Sequence, residues 1–257
     1  MDRSAGNIAC VNTSAGLASE TGEDSDTALA GAILVIAVDG PSGSGKSSTS
    51  RGVAKALGLR YLDTGATYRA LTWWMLEQGV EITDPDAVAA RLPEPRIEVG
   101  TDPAGPWTRV DGTDVSEAIR GREVTGAVSA VARVPAVREQ LIALQRDIIA
   151  ASDSFGGIVA EGRDIGTVVA PDAAVKVFLI ADGTARAGRR AAEANWSAET
   201  TRVEQDRRDT MDAGQSGKAE DAVVVDSTDL SLAEVIDVIV RLAEQVPSPR
   251  YPDPEKS

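Results

Sequence analysis

Residues Gly40-Pro41-Ser42-Gly43-Ser44-Gly45-Lys46-Ser47 fit G-x-x-x-x-G-K-[ST] at every fixed position, a pattern that holds phosphate. Glycines allow a tight turn in which successive backbone N–H groups face one anion. The start of a helix adds the positive end of its dipole. Lys46 is placed to reach the β- and γ-phosphates, Ser47 offers a hydroxyl to Mg²⁺, and Ser48 completes the segment. The chemistry expected is the binding of a nucleoside triphosphate.

Two further sets of residues bear on what is done with it. Glu161 stands at the tip of an apolar run, far downstream of the glycine loop; a strand-end acid in that place can hold the Mg²⁺ and its waters. Arginines recur near predicted strand ends and helix starts: Arg69, Arg138, Arg163, Arg186, Arg189, Arg190, Arg207 and Arg208. Phosphoryl transfer spreads negative charge over oxygens, and guanidinium forks stabilise it. For any one arginine the plain alternative is a solvated surface residue; Arg163 differs because it follows the strand-end acid. The chain has no histidine, so Ser–His and Cys–His hydrolases and histidine-bound metals are excluded. An N-K-x-D guanine motif and the H-R-D and D-F-G pair are missing too, which argues against a GTPase switch and a protein kinase. A phosphate acceptor, already anionic, needs positioning rather than a base. A hydroxyl acceptor would want one, and Asp63 or Asp164 is available.

Elements must bring these groups together. The apolar run Ala32–Val38 ends at Asp39 just before the loop, and Ser47–Leu57 reads as a helix capped by Gly58. Arg60–Asp63 is a short strand. Thr64 suits the N-cap of a helix over Ala66–Gln78 that Gly79 ends, with Trp73 and Trp74 as packing residues. Arg96–Val99 and Trp107–Val110 suggest a hairpin. Ser116–Ala151 turns helical, split by Pro135. Ile158–Ala160, Val175–Ile180 and Val223–Val225 are further strands, Asp182 caps an arginine-rich helix, and a second charged helix is expected over about 200–211. Ser231-Leu232-Ala233-Glu234 is a capping box opening a last helix. Apolar strands alternating with helices imply an α/β fold, a parallel sheet covered by helices.

Composition sets outer bounds. The 257 residues carry a net charge of −14, a poor match for a nucleic-acid backbone. The single cysteine, Cys10, permits no internal disulfide and points to a reducing, cytoplasmic setting. No apolar run is long enough for a membrane span. Residues 1–28 and 248–257 are small and polar and read as a disordered leader and tail around one domain over 29–247.

On these stretches the chain resembles the bacterial cytidylate kinase family: GPSGSGKSS (40–48), LDTGATYR (62–69), VSEAIR (115–120), SAVARVPAVREQLIALQR (129–146), EGRDIGTVVAPDAAVKVFLIA (161–181) and VVVDSTDLS (223–231). The resemblance implies a P-loop nucleoside monophosphate kinase fold with a CMP-binding insert over about 64–150 and a short lid over about 183–210. It implies transfer of the ATP γ-phosphoryl group, with Mg²⁺, to CMP or dCMP in a monomer with no protein general base. Thr64 then stands near CMP, and Arg69 lies in the same LDTGATYR match. Ser129 and Arg138 recognise the cytosine side, Arg163 the CMP phosphate, and Asp164 follows it in the motif. Arg208 and Asp212 hold the CMP phosphate and sugar hydroxyl. Lys46, Arg163, Arg186, Arg190 and Arg208 carry the transfer, with Arg186, Arg189 and Arg190 as lid-side arginines. Downstream of Asp212 the chain departs from the family: Gln215 replaces an arginine in a shortened loop that ends near Lys218. Exchanging a charged fork for a neutral amide costs about 1–3 kcal/mol of binding. That change leaves open a second reading, a nucleotide-binding regulatory module without transfer activity. Another small acceptor is a further alternative.

Overall fold

The computed structural model describes residues 33–186 and 217–246. Five strands form one parallel sheet: β1 (Leu34–Asp39), β2 (Arg60–Asp63), β6 (Gly157–Gly162), β7 (Val175–Ile180) and β8 (Val223–Asp226). Their order across the sheet is β2-β6-β1-β7-β8. All six residues of β1 are buried, because both faces of the sheet are covered. Leu34, Ile36 and Val38 pack on one side with Val53 and Ala54 of α1 (Lys46–Leu57) and with Val235, Ile239 and Ala243 of α6 (Leu232–Glu244). Val35 and Ala37 pack on the other with Ile148 and Ile149 of α5 (Pro135–Ala150). An uninterrupted apolar strand is what double coverage requires.

A second core lies beside the sheet. It joins α2 (Thr64–Glu77), α3 (Pro85–Ala90), α4 (Arg122–Ala132), α5 and an antiparallel sheet of β3 (Ile97–Gly100), β4 (Trp107–Val110) and β5 (Thr113–Asp114). Asp111 and Gly112 turn β4 into β5 with positive φ at both residues, the geometry of a tight hairpin turn. Trp74 Nε1 donates to the Asp111 carboxylate at 3.1 Å, so α2 clamps that turn. Trp74 is buried, as its expected packing role requires.

Local signals explain most element ends. Gly58 adopts φ 68° and closes α1, Pro135 opens α5, and Ser231 with Glu234 completes a reciprocal capping box on α6. Two expectations need correction. Asp63, not Thr64, caps α2: its carboxylate accepts from the Ala66 N–H at 3.0 Å. Thr64 is the first helical residue, and its hydroxyl donates to the Glu161 carbonyl at 2.7 Å. Residues 116–121 do not start the long helix; Ala118–Arg120 is a single 3₁₀ turn, and α4 begins only after Gly121. The leader 1–28, the tail, most of the expected lid and helix 200–211, and Arg189, Arg190, Arg207, Arg208, Asp212 and Gln215 lie outside the described residues.

Candidate active site

The C-terminal ends of β1, β2 and β6 meet at one cavity, the place where open parallel sheets bind ligands. After β1 the chain enters the glycine loop. Gly40 passes so close to β7 that a Cβ there would lie 2.1 Å from the Leu179 carbonyl oxygen, and Gly45, at φ 92°, delivers the chain into α1. Helix α1 starts at Lys46, which puts the free N–H groups of its first turn at the loop. Ser42, Gly43, Gly45, Lys46 and Ser47 line the cavity. Gly40, Pro41, Ser44 and Ser48 do not. Ser44 is buried with its hydroxyl on the Pro41 carbonyl at 3.0 Å, and Ser48 is exposed.

Lys46 Nζ donates to the Pro41 carbonyl at 2.7 Å, folding back over the loop it serves. Burial and the neighbouring Arg163 push its pKa down to about 8, against the pull of Glu161, Asp39 and Asp63. Glu161 is 3% exposed, so it is no solvated turn acid. Burial, then Asp63, raises its carboxyl pKa to about 7, while Lys46 and hydrogen bonds from Tyr61 and Ser47 favour its ionised form. Tyr61 Oη is the donor to Glu161 Oε1. Burial and the carboxylates of Glu161 and Asp63 drive the Tyr61 pKa far upward, so its proton stays in that bond. Ser47 and Glu161 present one hydroxyl and one carboxylate side by side, hard oxygen donors of the kind Mg²⁺ takes alongside waters and nucleotide phosphates. Among the described residues no group of three or more His, Cys, Asp or Glu is placed to hold an ion alone. A cation bound here therefore needs oxygens from its ligand as well.

Beyond the loop, the cavity runs between the main sheet and the insert. Thr64, Gly65, Tyr68 and Arg69 line it from α2, Val128, Ser129 and Ala132 from α4, Arg138 from α5, and Gly162, Arg163 and Asp164 from the segment after β6. Thr64, Arg69, Ser129, Arg138, Arg163, Asp164, Lys46, Ser47 and Glu161 thus line one cavity. Arg138 Nη2 pairs with the Asp164 carboxylate. Tyr68 is held neutral by burial, its pKa up at about 12. Arg69 Nη1 donates to the Ile119 carbonyl at 3.2 Å and to Thr125 Oγ1 at 3.0 Å, tying α2 to the turn before α4. Arg186, just inside the helix that Asp182 caps, donates to the Ser42 carbonyl at 3.3 Å. Lys218 is exposed and does not line the cavity.

Asp63 and Asp164 are the two acids set aside above as bases for a hydroxyl acceptor. Asp63 caps α2 with one oxygen and takes Arg120 Nη2 on the other; Asp164 is bonded to Arg138. Each of the two carboxylates is thus already committed to a partner within the protein.

Sequence reading missed Asp39, Tyr61, Tyr68 and Arg120. Asp39 is 4% exposed. Its carboxylate accepts from the Ile165 and Gly166 N–H groups, both at 2.8 Å, and so pins the π-helical turn Ile165–Val169 directly after Arg163 and Asp164. An acid in the position just before the glycine loop was the available signal. Tyr61 could be paired with Glu161 only once the register placed Asp63 opposite Glu161 across β2 and β6.

The sequence model of the family described as Cytidylate kinase matches residues 36–245. A cytidylate kinase of Streptomyces avermitilis is 52% identical over 217 residues, covering 82% of this chain and 93% of that protein. One of Streptomyces griseus is 53% identical over 216 residues, covering 82% and 93%. One of Nocardia farcinica is 49% identical over 223 residues, covering 82% and 94%.

Proposed function

We propose that this chain, which belongs to the cytidylate kinase family, transfers the γ-phosphoryl group of ATP to CMP or dCMP, yielding ADP and the pyrimidine diphosphate. One observation carries the reading: a single cavity is lined both by the phosphate loop with Lys46 and Ser47 and by Ser129, Arg138, Arg163 and Asp164. Donor and acceptor therefore meet inside one wall of fixed dipoles and cations, as transfer requires.

The steps follow from the residues. Loop N–H groups and Lys46 hold the donor phosphates and draw charge from the γ-phosphoryl group as it leaves. Ser47 and Glu161 would hold Mg²⁺, which would supply neutralising charge at the donor phosphates. The pyrimidine lies toward Tyr68, Val128, Ser129 and Ala132, with Arg138 and Asp164 fixed as a pair that presents both a donor and an acceptor edge. Thr64 and Arg69 support the floor, and Arg163 takes the acceptor phosphate. That phosphate attacks as an anion, so no side chain removes a proton. This agrees with a cavity whose two candidate bases, Asp63 and Asp164, are already engaged. Arg186, on the loop side, assists at the donor, joined in this reading by Arg190, Arg208 and Asp212. Residues about 64–150 act as the CMP-binding insert and about 183–210 as a lid that excludes water on closing.

The protein is read as a cytoplasmic monomer without nucleic-acid or membrane partners. The net charge of −14 is a poor match for a nucleic-acid backbone, and among the described residues no helix is long and apolar enough to cross a membrane. The regulatory-module reading rests on the altered loop over 213–218 and is disfavoured by a cavity that keeps Ser129, Arg138, Arg163 and Asp164. The test is ADP release from ATP·Mg²⁺ with CMP, dCMP, UMP, AMP and GMP offered singly. Turnover confined to CMP and dCMP is expected; equal turnover with a purine acceptor, or none at all, overturns the assignment.

A further inference from the structure

We propose that Arg120 is a ligand of the acceptor phosphate, held in readiness by Asp63 until that phosphate arrives. The inference rests on the cytidylate reading above, since it concerns the acceptor's charged end.

Arg120 ends the 3₁₀ turn Ala118–Arg120 and lines the same cavity as Lys46, Ser47 and Arg163. Its position along the cavity is fixed by what it affects. In the cytidylate reading the pyrimidine lies toward Tyr68, Ser129 and the Arg138–Asp164 pair, which line the cavity. Arg120 instead bonds Asp63, an acid whose charge is felt by Lys46 and Glu161, and its own charge reaches Tyr61. It therefore stands on the insert's wall facing the transfer point.

The contact that parks it there is easily exchanged. Nη2 meets Asp63 Oδ2 at 3.4 Å, with the arginine side chain 63% exposed. A long, single, solvent-screened contact contributes little, whereas a phosphate dianion offers a guanidinium two short parallel bonds. Asp63 loses no structural role when Arg120 leaves, because its other oxygen remains on the α2 cap. The turn itself is anchored at Ile119. Ile119 is buried, and its carbonyl takes Arg69 Nη1 at 3.2 Å, so Arg69 props the backbone from which Arg120 projects. A side chain held by one exchangeable contact, on an anchored stem, beside the reacting groups, is suited to clamp an arriving phosphate.

The test compares CMP with cytidine, which shares the base and sugar but lacks the phosphate, by calorimetric titration of the wild-type, Arg120→Ala and Arg120→Lys proteins. Arg120→Ala is expected to weaken CMP about 10- to 100-fold, in line with loss of a charge-assisted pair, and to leave cytidine unchanged. Arg120→Lys should restore part of the loss, since an ammonium gives charge without the fork. In turnover, KM for CMP should rise while KM for ATP stays put. Equal weakening of CMP and cytidine would assign Arg120 to the shape of the cavity and overturn the proposal. So would unchanged CMP binding, the mark of a solvated rim arginine. Failure of the wild-type protein to bind CMP at all would instead count against the cytidylate reading.

Discussion

Asp39 joins the two halves of the site, and replacing it by asparagine separates them in a calculable way. The carboxylate accepts two N–H bonds of 2.8 Å, from Ile165 and Gly166. An asparagine offers one acceptor oxygen, so the second N–H meets an amide that itself donates. The loss is one charge-assisted bond, about 1.5–3 kcal/mol, with a buried donor left unmet. An opposing effect is present: burial already raises the Asp39 pKa, so a neutral side chain recovers part of the cost of desolvating the carboxylate. A net loss of about 2 kcal/mol is a reasonable balance, equivalent to about 30-fold in an equilibrium constant. Because the affected turn follows Arg163 and Asp164, the loss should appear in acceptor binding. Steady-state kinetics with CMP varied at saturating ATP, and the reverse, should give a KM for CMP raised about 10- to 30-fold and a KM for ATP changed by less than about 3-fold. Thermal unfolding should shift down by about 4–8 °C for a chain of this size. Unchanged kinetics, or a larger effect on ATP than on CMP, would refute the role assigned to Asp39.

Lys46→Ala should lower kcat by at least about 10²-fold through loss of charge stabilisation at the transferring group, with far-ultraviolet circular dichroism unchanged; near-normal turnover would remove Lys46 from the mechanism. The pH profile has a predicted sign on each side. Glu161 must be ionised and Lys46 protonated, so kcat/KM should rise through about 7 and fall through about 8. Tyr61→Phe removes a hydrogen bond that favours the Glu161 anion and should move the rising limb to higher pH, measured over pH 5–10; an unmoved limb contradicts the assignment. Gln215→Arg should lower KM for CMP about 5- to 100-fold if it restores a charged fork, and an unchanged KM would show that the substitution is neutral.

The parts of the fold that were readable from sequence are those set by local chemistry. Gly45-Lys46-Ser47 between an apolar run and a helix could be only one kind of loop, and Ser231 with Glu234 or Pro135 at the head of α5 act within a single turn. The parts that were not readable depend on partners distant in sequence. Thr64 looked like a cap until its hydroxyl was found on the Glu161 carbonyl, 97 residues away; the capping role belongs to Asp63. Asp39 and Gly166 stand 127 residues apart, and no periodicity announces such a bond. Arg120 was embedded in a stretch read as helix. The 3₁₀ turn and Gly121 set it at the cavity wall instead. Residue types at the site were thus legible through motif and resemblance, whereas the contacts that hold and tune them required the register of β2 on β6 and the packing of the insert.

One-to-one transfer from ATP to CMP within a single cavity can be followed by ³¹P NMR of the wild-type protein with ATP, CMP and Mg²⁺. The γ-phosphate resonance of ATP should disappear in step with the appearance of the α- and β-phosphates of CDP, one CDP for each ADP formed, with no accumulation of inorganic phosphate. Release of inorganic phosphate without CDP, or an unchanged spectrum from protein that binds ATP, would contradict it.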